Sequence, residues 1–127
     1  MSVLREEIDA RVSAYENNGE TCSGDICFDA DFSGFKGHFP GKPIVPGVCM
    51  VQAVAVLVAR ALGSRVTIAE LLQAKFVSVA EPGANVRIVA GYTQRDPLTY
   101  LVKASLTLNG EALAKIEFLA DLADREA

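Results

Sequence analysis

Residues 46–62, PGVCMVQAVAVLVARAL, constrain this chain more than any other stretch. The run is too long for an ordinary strand and is apolar on nearly every face of a helix, so it predicts a helix buried all round. Pro46 suits the first turn, where a missing N–H costs nothing, and Gly63 suits the C-terminal end. The apolar core of the run, Val48 to Ala59, is interrupted by Gln52 and falls short of the ~20 residues of a membrane span. The rest of the chain must therefore wrap this helix.

The wrapping material reads as strands. Residues 85–94 alternate, with Val86, Ile88, Ala90 and Tyr92 on one face. In 98–108, Tyr100, Val102, Ala104, Leu106 and Leu108 oppose Lys103, Ser105 and Thr107. Asn109-Gly110 is a strong signal for a type I′ hairpin turn, after which Ala112, Ala114, Ile116 and Phe118 should continue the apolar face. Residues 20–30 and 70–80 are further strand candidates, the second ending before the Pro82-Gly83 turn. Leu4, Ile8, Val12 and Tyr15 fall at helical spacing and predict a short amphipathic helix over 3–15, closed by an Asn17-Asn18-Gly19 turn. Residues 121–127 should fray. The expected class is α+β: residues 1–127 form a single domain in which an antiparallel sheet with one apolar face wraps one long buried helix.

The chemistry concentrates where a long loop meets that helix. Residues 31–47 carry Gly34, Gly37, Pro40, Gly41, Pro43, Pro46 and Gly47, and a loop of this length in a compact domain is often functional. It holds His38, the only histidine and the side chain best suited to proton transfer near neutrality. Taken alone, such a histidine more often bonds a neighbouring carbonyl. Gly47 and Val48 begin the helix, where backbone N–H groups lack intrahelical partners and favour developing negative charge. Gly47 has no side chain to obstruct an approaching carbonyl, although a Pro-Gly helix start is also common without any such role. Gln52 is the one polar side chain in the apolar run and must find a bonding partner, in a pocket or on the backbone. Cys49, also in the first turn, has no second histidine to activate it and reads as a small core residue.

The segment GHFPGKPIVPGV, Gly37 to Val48, resembles the signature of FabZ/FabA-type 3-hydroxyacyl-[acyl carrier protein] dehydratases. AKFVSVAEPGANVRI, Ala74 to Ile88, resembles the strand-turn-strand that follows it in that family. The resemblance implies a hotdog fold and a dimer, homomeric or heteromeric, with active sites at the subunit interface. It implies that His38 removes the α-proton of a (3R)-hydroxyacyl thioester and that the Gly47 amide holds the thioester carbonyl. Pro46, Val48 and Phe39 would line the substrate. The family's helix carboxylate, which helps the hydroxyl leave, falls at position 52, where this chain has Gln. An amide cannot donate a proton as an acid does. Dehydration would then run through His38 alone, which returns the proton to the leaving oxygen, with a loss on the order of 10²–10⁴-fold unless another group substitutes, and Gln52→Glu is expected to preserve or raise activity. The His38–Gln52 pair is expected to form across two subunits. The N-terminal region lacks the opening typical of FabZ, which marks the chain as a short, divergent relative.

The implied partner is acyl carrier protein with its acyl-phosphopantetheine. Lys36 and Lys42 flank His38 and are candidates for docking it, with Arg60, Arg65, Lys75 and Arg87 as others. Two alternatives stand beside an active dehydratase: a catalytically impaired partner subunit of a heteromeric dehydratase, favoured by Gln52, and a hotdog thioesterase. Composition narrows the rest. Half of the 127 residues are hydrophobic, enough for a sizeable core. A formal net charge of −4 without a basic stripe argues against nucleic acid. Cys22, Cys27 and Cys49 form no metal-type spacing and read as reduced thiols of a cytoplasmic protein, and MSVLREEIDA has no signal-peptide core. No metal, nucleotide or flavin motif is present, and the chemistry calls for no cofactor.

Overall fold

The computed structural model describes residues 3–35 and 43–122. The apolar run forms α2, Gly47–Leu62, with Pro46 as the residue before its first turn rather than within it. The helix ends at Gly63, whose φ of 65° places it in the left-handed region. The Gly63 N–H returns to the Arg60 carbonyl and the Ser64 N–H to that of Ala59, so these two carbonyls of the last turn are satisfied. From Cys49 to Val58 every residue but Gln52 is buried. The ends depart from the expected full burial: Val48 and Arg60 are exposed, and Ala61 and Leu62 are half-buried.

Among the described residues six strands surround this helix: β1 (Val12–Asn17), β2 (Thr21–Phe28), β3 (Val66–Phe76), β4 (Ala84–Asp96), β5 (Thr99–Leu108) and β6 (Glu111–Leu122). They form one sheet of order β1-β2-β4-β5-β6-β3, antiparallel throughout. Its inner face is the one the alternation predicts. Val86, Ile88, Ala90 and Tyr92 of β4 are buried, as are Val102, Ala104 and Leu106 of β5, while Lys103 and Ser105 point out. The helix packs on this face against β2, β3 and β4. Its approach to β2 is close at Gly24, where a β-carbon would lie 3.3 Å from Leu57 Cδ2. Each fully buried aliphatic side chain contributes about 1.5–3 kcal/mol relative to exposure.

Asn109 and Gly110 have φ of 54° and 82°, as a type I′ hairpin requires. Beyond it Ala114, Ile116 and Phe118 continue the buried face as expected, and only Ala112 departs from it. Thr107 pairs with Ala112 and Leu106 with Ala114, so Leu113 is a bulge, buried beside Ala114, and Ala112 is exposed. The predicted helix over 3–15 divides in two. An α-helix, α1, spans Val3–Asp9, and Val12 and Tyr15 belong to β1, where their branched and aromatic side chains suit a strand. The helical spacing arose because both elements turn apolar side chains, Ile8 from one and Val12 and Tyr15 from the other, toward the same core. Asp121 and Leu122, expected to fray, are held in β6, where Thr99 Oγ1 donates to Asp121 Oδ1 at 2.9 Å. The predicted strand over 70–80 starts earlier, at Val66, and stops at Phe76.

Candidate active site

Three elements meet at the expected site. The loop enters through a short 3₁₀ turn, Ser33–Phe35, and is tied down at both described ends. Glu7 of α1 accepts from the Ser33 backbone N–H at 3.0 Å and from the Ser33 hydroxyl. At the far end the Val45 N–H donates to the Ala80 carbonyl at 2.7 Å. Gly34 is enclosed: a β-carbon there would lie 2.4 Å from the Phe32 ring and 3.0 Å from Cys49 Sγ. His38, Phe39, Lys36 and Lys42 lie outside the described residues.

The helix start follows directly. Pro46 has no side-chain oxygen, and among the described residues no side chain caps the first turn. The Pro46 carbonyl takes the Cys49 and Met50 N–H groups, at 2.9 and 3.4 Å. The N–H groups of Gly47 and Val48 precede these and face outward from the helix end, the position at which a carbonyl oxygen gaining negative charge is stabilised. The Phe76 ring lies over Gly47, 2.9 Å from where a β-carbon would stand. Cys49 is buried, and burial with the nearby Glu7 carboxylate pushes its thiol up to about 11. That makes it the inert core residue expected.

Gln52, one turn along, is half-buried and has a partner: Arg5 Nε donates to its Oε1 at 2.6 Å. The same guanidinium donates through its second nitrogen to the Val66 carbonyl at 2.6 Å, at the start of β3. Burial lowers the pKa of Arg5 from its ordinary value, but an arginine remains charged at any physiological pH. Sequence reasoning missed Arg5 and Glu7. Their only signal is an amphipathic N-terminal segment, and nothing in it points 47 residues ahead to Gln52.

Arg5 also lines an open cavity of about 610 Å³ between α1, the second half of α2 and the start of β3. Val56, Ala59 and Val66 supply apolar wall, and Arg60 at the rim is held by Asp9 through a 3.0 Å ion pair. Among the described residues no cluster of His, Cys, Asp and Glu could hold a metal ion. No described helix is long and apolar enough to cross a membrane.

A sheet wrapped on one central helix, entered through a glycine- and proline-rich loop, defines the hotdog class. Comparison with solved structures agrees. The ApeI:P dehydratase heterocomplex of Xenorhabdus doucetiae matches with a TM-score of 0.76 over 87% of this chain and 96% of that one, at 17% identity. A hypothetical thioesterase of Streptococcus pneumoniae, solved with coenzyme A, matches with a TM-score of 0.69 at 11% identity, over 98% of this chain and 97% of that one. At those identities the likeness speaks for the fold alone. Sequence goes further. The 3-hydroxyacyl-[acyl-carrier-protein] dehydratase FabZ of Rickettsia rickettsii is 35% identical over 99 residues, covering 72% of this chain and 68% of the relative. That of Rickettsia africae is 36% identical over the same shares. Residues 14–111 match the ApeI-like family, described as ApeI dehydratase, and the chain belongs to that family of hotdog dehydratases.

Proposed function

We propose that this protein dehydrates (3R)-3-hydroxyacyl chains carried as thioesters on acyl carrier protein in the cytoplasm, acting as one-domain subunits paired in a dimer. The observation that carries the reading is the helix start at Gly47, which closes the GHFPGKPIVPGV segment in a chain 35% identical to FabZ. In the reaction His38 takes the α-proton, and the electron pair of that C–H bond becomes the α,β double bond. The C–O bond breaks and the hydroxyl leaves with a proton as water. The thioester oxygen, gaining enolate character, is held by the Gly47 N–H. Val48, Pro46 and Phe39 border the thioester, and the apolar wall of Val56, Ala59 and Val66 suits the acyl chain. Lys36 and Lys42 offer charge to the carrier protein. No step calls for a cofactor.

The dimer is supported by the state of the two sheet edges. β1 is short, bulged between Ser13 and Glu16, and has Ala14 at a φ of 53°, features that discourage further pairing. β3 is 11 residues long, and Leu71, Leu72 and Phe76 on it are 43–49% exposed, followed by Val77 and Val79 at 54% and 49%. An edge so apolar calls for a cover. A second copy paired on β3 about a twofold axis would roof the cavity beside Arg5 and bring the partner's loop toward Gln52, so that each site draws on two subunits.

The test is turnover of a (3R)-3-hydroxyacyl-acyl carrier protein by the purified protein, read by mass spectrometry beside His38→Ala. Enoyl product that disappears in His38→Ala is the expected result. Free acid instead would mean a thioesterase. No product from the chain alone, with product restored by a second hotdog subunit, would make it the impaired partner of a heteromeric enzyme. That second reading draws support from Gln52, which has no acid proton to give.

A further inference from the structure

We infer that Arg5 is a positioning residue that sets which end of the Gln52 amide serves the reaction. The inference rests on the dehydratase reading for its meaning, though not for its geometry. An arginine guanidinium has only donors, so the Gln52 atom 2.6 Å from Arg5 Nε must be the carbonyl oxygen. The amide orientation follows from chemistry and leaves one group of Gln52, its NH₂, to meet another acceptor. Among the described residues that NH₂ has no acceptor. Arg5 is itself fixed at a second point by the Val66 carbonyl, so the pair is braced between α1, α2 and β3.

The consequence is a division of labour. Gln52 meets the leaving hydroxyl oxygen as a neutral donor of hydrogen bonds, which eases C–O cleavage without handing over a proton. The proton that completes water comes from His38, which received one from the α-carbon in the same turnover, so protons balance with no other acid. An acceptor-facing Gln52 could not support the departing oxygen at all.

The same geometry revises the expectation for Gln52→Glu. A carboxylate in place of the amide would face the Arg5 guanidinium at ion-pair distance. An arginine this close holds a carboxylate ionised, with a pKa about one to three pH units below its ordinary ~4.3. The introduced carboxylate would then be a poor acid at neutral pH, and Gln52→Glu alone should gain nothing. A gain should appear only when Arg5 is also replaced.

The experiment combines a titration with kinetics. The carboxyl carbon introduced at position 52 is followed by NMR against pH in Gln52→Glu and in Arg5→Met with Gln52→Glu. The midpoint should lie at least about one pH unit below ~4.3 in the first and return to or above it in the second. Equal midpoints would overturn the inference. In turnover at pH 7, a midpoint one pH unit higher leaves about tenfold more of the carboxyl protonated, so the double variant should exceed Gln52→Glu by about tenfold in kcat. A single variant as active as the double would also refute it. A merely structural Arg5 would lower the carboxyl midpoint equally but leave the two variants with the same kcat. The wild-type protein supplies a check that needs no variant: a through-hydrogen-bond coupling between Arg5 Nε and the Gln52 side-chain carbonyl carbon, whose absence would count against the pairing. Should the wild type make no enoyl product, the dehydratase reading fails, and the titration still decides whether Arg5 pairs with position 52.

Discussion

If β3 is the edge on which a second copy pairs, its leucines set the strength of the dimer. Leu71 and Leu72 are 49% and 44% exposed, so about half of each side chain remains to be buried by a partner. Full burial of a leucine is worth about 1.5–3 kcal/mol, and half of that is about 1 kcal/mol. A twofold interface contains each residue twice, so Leu71→Ser should cost the dimer about 2 kcal/mol, or roughly 30-fold in Kd. Leu71→Ser with Leu72→Ser should cost about twice that, close to a thousandfold in Kd. Sedimentation velocity over a dilution series reads the shift, with circular dichroism to verify that each protomer stays folded. Val89→Ser is the control: Val89 is also exposed, at 42%, but lies on the outer face of the central strand β4. A double variant whose Kd moves less than about threefold would refute the assignment of β3 as the interface. So would a control that weakens the dimer equally.

Two further outcomes follow from the loop and the core. Gly34→Ala should destabilise the protein by about 1–3 kcal/mol, because the added carbon would meet the fully buried Phe32 ring, which has nowhere to move; urea denaturation checks this, and a neutral substitution would show the turn to be pliable. Burial raises the Cys22 and Cys49 thiols to about 11, so folded protein keeps protons that the unfolded chain releases from its ordinary value upward. Their stabilisation is complete below about pH 9 and is lost as pH rises toward 11. The melting temperature should therefore fall across that window, and less steeply in Cys22→Ala. At pH 8 about one in a thousand of either thiol is ionised, so brief alkylation of native protein should label Cys27 alone.

Local patterning made most of the fold legible. The helix was readable because no other structure accommodates 16 residues apolar on nearly every face. The β4–β5–β6 meander was readable because its alternation and the Asn-Gly turn carry their own register. What escaped was set by neighbours rather than by local sequence. The split of residues 3–15 depends on β2 being present to pair with Val12 and Asn17. The bulge at Leu113 depends on β5, whose pairing shifts between Leu106 and Thr107. The strand candidate at 70–80 gave too little because β3 is an exposed edge, where no alternation is enforced. At the site, Gly47 and Gln52 stood out as exceptions in an apolar helix, whereas Arg5 and Glu7 looked like ordinary surface charges.

Those two charges are what make α1 part of the site. Seven residues are too few for a helix to be stable alone in water, so α1 is ordered by what it touches. It touches three parts of the site at once. Glu7 holds the Ser33 turn from which the loop departs, and Arg5 holds both Gln52 on α2 and the Val66 carbonyl at the head of β3. The binding is mutual, because each contact that orders α1 also fixes the element at its other end. Loop, helix and edge strand therefore share one small tether. Loss of any of its bonds should loosen the others, and the energies of Arg5, Glu7 and Gln52 substitutions should be coupled rather than additive.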